Sequence, residues 1–305
     1  MKLLVRRSNL VVPADDAARI ADAWRHDADA VTLDGAGRPA ARVQLRDAIR
    51  AAGQGGAEVF VRVDAADCEG DLKAAVGPGL RGVMLTGAQR KADIAAVCEM
   101  LTRMEASHAM QREPTQLIVA LETARAVWDV RELVKASPRV SQVYLDEAAL
   151  AADLRIAPNP EYDPFVYARG RVITEAIAAG VGPVGMAYPL SAVPQEGDAS
   201  GIHAAAMIAK NTGMKGVVCP FASWVAPVNQ AFTPTPQLVE WNRRVREAFA
   251  AGVAAGTAAV PLDGRMIDVP VDEWAIVVLA MADACAARDA EKKAAMAKAR
   301  QGMSK

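Results

Sequence analysis

Aromatic residues are scarce: five Phe, five Trp and four Tyr make up 5% of a 305-residue chain. Platforms on which nucleic-acid bases stack need several exposed rings, so single-stranded nucleic acid is a poor ligand. Charge of one sign is lacking as well. Thirty-five Lys and Arg stand against 36 Asp and Glu, a formal net charge of −1. That balance gives no electrostatic reason to expect nucleic acid or an anionic membrane as partner. No uncharged apolar run reaches membrane-spanning length. The short apolar start before Arg6 and Arg7 is too brief for the core of a signal peptide. The four cysteines, Cys68, Cys98, Cys219 and Cys285, show no Cys-x-x-Cys spacing. Metal clusters and a disulfide framework are therefore disfavoured, and buried reduced thiols in a cytoplasmic protein are expected.

What the chain does have is alternation. Short β-branched runs are expected as strands at Leu10–Val12, Ala30–Leu33, Glu58–Val63, Gly82–Leu85, Gln116–Leu121, Val140–Leu145, Val184–Ala187 and Gly216–Cys219. Amphipathic, Ala-rich stretches separate them, among them Asp16–Arg25, Arg42–Ala51, Lys91–Arg103, Ala126–Lys135, Phe165–Ala179 and Ser200–Lys210. Strands apolar on both faces and separated by helices predict a parallel sheet covered by helices. Eight strands, each followed by a helix, favour an α/β fold of the (βα)8 TIM-barrel type over an open doubly wound sheet. After the eighth strand, Thr235-Pro236 is a good helix start, and a helix over about 237–251 follows. A loop at 257–268 then leads to a last helix over about 271–298. The expected domains are a barrel at 1–234 and a C-terminal helical arm at 235–305, for oligomerisation or as a lid. The charged stretch 288–300 reads as the exposed face of the last helix.

Such a barrel reacts at the C-terminal ends of its strands. Strand two ends in Asp34, strand three in Arg62 and Asp64, strand five in Glu122, and strand six in Asp146 and Glu147. Strand four ends in Thr86-Gly87 and strand eight in Cys219-Pro220, without charge. One arginine facing several carboxylates suits a site for a divalent cation and an anionic oxygen. A ring of ion pairs that only satisfies buried strand ends is the competing reading. His26, His108 and His203 fall in helical stretches away from the strand ends, and no Ser/His/Asp arrangement emerges. Gly35-Ala36-Gly37 is followed by Arg38-Pro39 rather than a helix opening with Lys-Ser/Thr, so a turn is expected there, not a phosphate loop.

Taken in order, a set of short motifs resembles the citrate lyase β-subunit-like proteins of the HpcH/HpaI aldolase superfamily. They are Arg7-Ser-Asn-Leu-Val-Val-Pro13, Ala28-Asp-Ala-Val-Thr-Leu-Asp34, Val61-Arg-Val-Asp64, Gly82-Val-Met-Leu85 and Leu121-Glu-Thr-Ala-Arg125. Further along come Ala136-Ser-Pro-Arg-Val140, Tyr167-Ala-Arg169, Pro227-Val-Asn229, Ala231-Phe-Thr-Pro234 and Leu262-Asp-Gly-Arg-Met-Ile-Asp268. The resemblance implies a TIM barrel assembled as a homotrimer or hexamer. It also implies Mg²⁺-dependent cleavage or formation of a C–C bond in a CoA thioester, with a keto or hydroxy acid as the second partner. On that resemblance Arg62 stabilises the oxyanion and enolate, Glu122 ligates the metal, and Asp268 is an acid/base from the C-terminal arm. Arg7, Ser8 and Asp34 are expected at the substrate.

The departures from the family pattern fall at strand ends. The acids expected after Asp34 are Ala36 and Gly37, and the second metal-ligand position is Ala149, with Asp146 or Glu147 as substitutes. The usual Pro-Lys after strand four is Thr86-Gly87, and the run Val217–Trp224 keeps Cys219 while lacking the usual lysine, histidine and glutamine. Two functions are therefore expected. One is a lyase on CoA thioesters, of malyl-, citramalyl- or citryl-CoA type or a divergent variant. The other is a catalytically degenerate homologue that binds ligand or partners an active paralogue in a mixed oligomer.

Overall fold

The computed structural model describes residues 3–35, 39–107, 114–157, 162–186 and 199–303. Ala36, Gly37 and His108, and Ala187 at the end of the expected seventh strand, lie outside the described residues. The chain divides into two compact units, one of Arg6–Phe232 with residues 294–303, the other of residues 3–5 with Thr233–Lys293.

The larger unit is the barrel. Its strands are β1 (Ser8–Pro13), β2 (Ala30–Asp34), β3 (Glu58–Asp64), β4 (Leu80–Thr86), β5 (Gln116–Leu121), β6 (Val140–Leu145), β7 (Gly182–Val184) and β8 (Val217–Cys219). All pair in parallel in the order β7-β6-β5-β4-β3-β2-β1-β8. Between β7 and β8 the described residues form no ladder, but two backbone bonds bridge the seam. Gly185 N–H donates to the Gly216 carbonyl at 3.1 Å, and Lys215 N–H to the Pro183 carbonyl at 2.8 Å. The sheet is thus a nearly closed barrel, as the eight-strand alternation predicts.

Helices follow the strands: α1 (Ala17–Asp22), α2 (Pro39–Arg42), α3 (Leu45–Ala52), α4 (Glu69–Ala75), α5 (Lys91–Ser107), α6 (Ala124–Trp128), α7 (Val130–Val134), α8 (Glu147–Leu154), α9 (Val166–Ala178), α10 (Ile202–Thr212) and α11 (Val225–Phe232). The stretch expected as one helix at Ala126–Lys135 is two, broken at Asp129, whose backbone leaves helical geometry.

Alternation along each strand sorts the two faces. Outward residues such as Val59, Val61, Val83, Leu117, Val119 and Val143 join the large core under the helices. Inward residues form a separate small cluster of Ala30, Phe60, Met84 and Ile118, with Tyr144 and Val218 packed on it. Gly82 faces this bore, and a Cβ there would stand 2.6 Å from the Phe60 ring and 2.4 Å from the Gln116 carbonyl oxygen. Only glycine leaves room for that ring.

The lower end of the bore is closed by Arg6. Its guanidinium ion-pairs with Glu58 and reaches Gln116 Oε1 at 2.6 Å and Ser141 Oγ and Gln142 Oε1 at 3.2 Å each. Arg81 supports the same glutamate at 3.1 Å, and the Arg6 guanidinium lies 4.7 Å from the centre of the Phe60 ring.

In the smaller unit, α12 (Pro236–Ala254) starts as its sequence predicts, with Thr235 Oγ1 accepting from Leu238 N–H at 3.2 Å and Pro236 in the first turn. The stretch expected as a loop at 257–268 contains an antiparallel hairpin, β9 (Val260–Leu262) and β10 (Arg265–Ile267). Asp263 and Gly264 form its turn with φ of 46° and 75°, the left-handed pair that a two-residue hairpin requires. The last helix, α13, runs Val269–Met303. Within the stretch 288–300, expected as an exposed face, Glu291, Lys293, Lys298 and Arg300 are exposed, but Lys292 is fully buried, its ammonium 3.5 Å from Asp289, and the Arg288 side chain is only 14% exposed.

Candidate active site

Asp34, Arg62 and Glu122 converge at the C-terminal ends of β2, β3 and β5. Parallel register sets Asp34 directly beside Arg62, and both follow inward-facing residues at a spacing of two. The Arg62 guanidinium stands between two carboxylates, Nη1 at 3.5 Å from Asp34 Oδ2 and Nη2 at 3.2 Å from Glu122 Oε1. These side chains remain 28%, 33% and 19% exposed for Arg62, Asp34 and Glu122, so the group is sheltered yet open to a ligand. Burial pulls the Arg62 pKa down, but Asp34, Glu122 and Asp146 outweigh it and raise it further. The cation is therefore permanent.

Glu122 is oriented from a second side. Its Oε2 accepts the Gly87 N–H at 2.8 Å. Gly87 holds φ at +72°, and a Cβ there would meet Asp64 Oδ1 at 3.1 Å. At the place where the family pattern carries a lysine, this chain therefore offers a backbone N–H. Thr86 turns away, its hydroxyl donating to the Val63 carbonyl at 3.1 Å. Asp64 Oδ1 accepts from Ala66 N–H at 2.8 Å and shapes the turn after β3.

On β6 the two candidate substitutes part company. Asp146 is the N-cap of α8, its Oδ1 accepting the Ala149 N–H at 3.1 Å, and it stays within electrostatic reach of Arg62. Glu147 points elsewhere: it is buried against Arg169, with Nη2 2.8 Å from its Oε2 and Nε on its other oxygen. Asp163 shares that arginine. Burial pushes the Glu147 carboxyl up, despite Arg169. Glu147 is committed to Arg169, whereas Asp146 acts on Arg62, so of the pair Asp146 is the residue facing the site.

Arg7 and Ser8 are not brought there. They enter β1 at its N-terminal end, about 16 Å of strand rise below the level of Pro13 and Asp34. Arg7 is buried and forks onto Asp29, with Nε to Oδ2 at 2.8 Å and Nη2 to Oδ1 at 2.9 Å. Ser8 Oγ donates to Asn229 Oδ1 at 2.8 Å and accepts from Asp29 N–H at 3.2 Å. The structure thus places both at the base of the barrel, apart from the group of Asp34, Arg62 and Glu122. Asp268, in the smaller unit, ends the hairpin and caps α13, its Oδ1 accepting from Val271 N–H at 3.3 Å.

Tyr144 is a residue that the sequence reading passes over. It lies two positions before Asp146 on the same face of β6, and inside a β-branched run it looks like core. Of the described histidines, His26 pairs with Asp22 at 2.9 Å and His203 is exposed. Cys219, the last residue of β8, is fully buried, its thiol pushed up to about 12 by burial, which makes it unreactive at neutral pH.

Magnesium bound by such carboxylates keeps several waters and takes the rest of its ligands from substrate. Among the described residues no group of three or more His, Cys, Asp or Glu is placed to hold a metal, and Ala149 offers no ligand atom. Glu122 and Asp146 nevertheless keep carboxylate oxygens at the mouth. That donor set fits an ion whose coordination is completed by substrate, not one caged by protein alone.

Residues 7–220 match the family model described as HpcH/HpaI aldolase/citrate lyase. The chain is 28% identical over 297 residues to the citrate lyase subunit beta of Escherichia coli, covering 94% of this chain and 97% of that one. It is 25% identical over 266 residues to the L-malyl-CoA/beta-methylmalyl-CoA lyase of Cereibacter sphaeroides, covering 80% and 82%. Among solved structures, Mycobacterium tuberculosis CitE in complex with magnesium, acetoacetate and coenzyme A superposes with a TM-score of 0.69 at 27% identity. The match covers 92% of this chain and 98% of that one.

Proposed function

Because the chain belongs to the HpcH/HpaI aldolase/citrate lyase family, we propose that it is a CoA-ester lyase that makes or breaks a C–C bond between an acyl-CoA and a 2-oxo acid. The observation that carries this reading is Arg62, held between Asp34 and Glu122 at the strand ends where barrel enzymes react. The relatives named above are a lyase, a lyase subunit and a protein bound to coenzyme A. An inert homologue or a mere partner of an active paralogue is therefore not the favoured alternative. No helix among the described residues is long and apolar enough to cross a membrane. A cytoplasmic homo-oligomer, trimer or hexamer, completes the reading.

In the cleavage direction the hydroxyl proton of a 3-hydroxyacyl-CoA leaves to a base, and that oxygen becomes the carbonyl of the released acid. The C–C bond breaks, and its electron pair becomes the thioester enolate, which is then protonated at carbon. Arg62 is the fixed cation for the oxygen that carries negative charge, a stabilisation strongest where water is excluded. Asp34 and Glu122 hold its fork in place. Glu122 and Asp146 would hold Mg²⁺, which when bound supplies Lewis-acid polarisation of the acid's oxygens. Asp268 is the acid/base of this reading.

The test is condensation of acetyl-CoA or propionyl-CoA with glyoxylate, pyruvate or oxaloacetate in the presence of Mg²⁺, followed by mass spectrometry of the acyl-CoA pool. The expected result is a condensed acyl-CoA that disappears with EDTA and falls about 100-fold or more in Arg62→Ala. No product from any pair, and no cleavage of malyl- or citramalyl-CoA, overturns the reading.

A further inference from the structure

Three inward-facing side chains succeed one another up β6: Gln142, Tyr144 and Asp146. Gln142 is bonded to Arg6 at the base, and Asp146 caps α8 at the mouth. Tyr144 lies between them. Its ring packs on the bore cluster of Phe60, Met84 and Ile118, and its phenol end lies within electrostatic reach of Asp146, Arg62 and Glu122.

Other polar side chains along the bore and at its mouth are bonded. Thr32 donates to Asn9 at 2.8 Å, Glu122 is shared by Arg62 and Gly87, and Gln116 and Gln142 receive Arg6. The Tyr144 hydroxyl makes no hydrogen bond to any described residue, while the residue stays partly open to solvent. An interior phenol normally finds a partner, and a phenylalanine would fill the same space without a polar atom to satisfy. A phenol is also neutral at pH 7 from its ordinary value alone, so it donates a proton into a hydrogen bond without adding charge beside Arg62.

We propose that Tyr144 is a substrate-binding residue whose hydroxyl donates to an oxygen of the 2-oxo or 2-hydroxy acid held by Arg62, fixing how deep that acid sits in the bore. The inference rests on the lyase reading and names a residue for the acid half of the substrate, not for the CoA half. Below the hydroxyl the bore is filled by apolar side chains, so the acid cannot descend further. Tyr144 is in effect the floor of the site.

The experiment compares wild type with Tyr144→Phe, which keeps the ring and its packing. Calorimetric titrations with Mg²⁺ present use glyoxylate, pyruvate and oxaloacetate as one set of probes and free coenzyme A as another. The expected result is about tenfold weaker binding of the oxo acid that wild type prefers, with coenzyme A affinity unchanged. In turnover the KM for the acid rises while that for the acyl-CoA stays put, a split that a general loosening of the fold would not produce. Equal oxo-acid affinity in the two proteins overturns the role of Tyr144 and leaves the lyase reading standing. A wild type that binds neither an oxo acid nor coenzyme A sinks the lyase reading, and this inference with it.

Discussion

Arg62 has a carboxylate on each side, and both its geometry and its charge depend on them. A lysine at this position would keep the charge and lose the planar fork that spans Asp34 and Glu122. Arg62→Lys is therefore expected to lower kcat/KM by at least about tenfold, measured in the condensation assay. Gly87 is the second telling residue. Its φ of +72° and the nearness of Asp64 make any side chain there strained. Gly87→Ala should cost about 1 kcal/mol or more of stability and disturb the N–H that orients Glu122. Urea melts and the activity assay read the two effects separately.

Among the connecting elements, helix α5 and the turn into β6 are joined by one ion pair. Arg139, just before β6, places Nη2 at 2.7 Å and Nη1 at 2.8 Å from the two oxygens of Glu105 on α5. Thr115 N–H adds a third bond at 2.7 Å. Burial pushes the Glu105 carboxyl up, but the bonds from Arg139 and Thr115 outweigh it and hold it below its ordinary value of 4.5. A depressed folded-state value contributes stability that is present above the unfolded value and lost as pH falls through the folded one. Glu105→Gln should thus cost about 2 kcal/mol at pH 7, with the gap to wild type closing below about pH 4.5. Chemical denaturation of both proteins at pH 7 and pH 3 checks it. The hairpin of β9 and β10 belongs at this level too. Its Asp263-Gly264 pair between two apolar runs is a legible turn signal, one that the expectation of a plain loop overlooked.

Across the whole barrel, the two ends of the bore do different work. The lower end is a polar plug around Arg6, and the upper end is the sheltered, solvent-reachable group around Arg62. Removing Arg6 leaves Glu58 and its glutamine neighbours poorly paired inside the protein. Arg6→Ala is expected to cost about 3 kcal/mol or more, lowering the melting temperature by several degrees. Well below that melting point, kcat/KM should stay within about twofold of wild type, because barrel chemistry occurs at the other end. A thermal melt and an activity assay at one low temperature separate the two. A large loss of kcat/KM with an unchanged melt would refute this division of labour.

The sequence alone determined seven of the eight strands, the parallel barrel and the strand ends that carry Asp34, Arg62 and Glu122; the seventh strand, expected at Val184–Ala187, forms at Gly182–Val184. Those features follow from local periodicity, which each segment carries by itself. It was silent or misleading where a residue's meaning depends on a partner distant in the chain. Arg7 and Ser8 formed a motif, yet Asp29 and Asn229 claim them at the base. Asp146 and Glu147 are neighbours in sequence, but adjacent strand-end positions point in different directions, so one faces Arg62 and the other is buried on Arg169. Tyr144 is inconspicuous inside an apolar strand run until the closed sheet brings it within electrostatic reach of Asp146 and Arg62. Such assignments are fixed only when parallel register and barrel closure bring side chains from several strands into one small space.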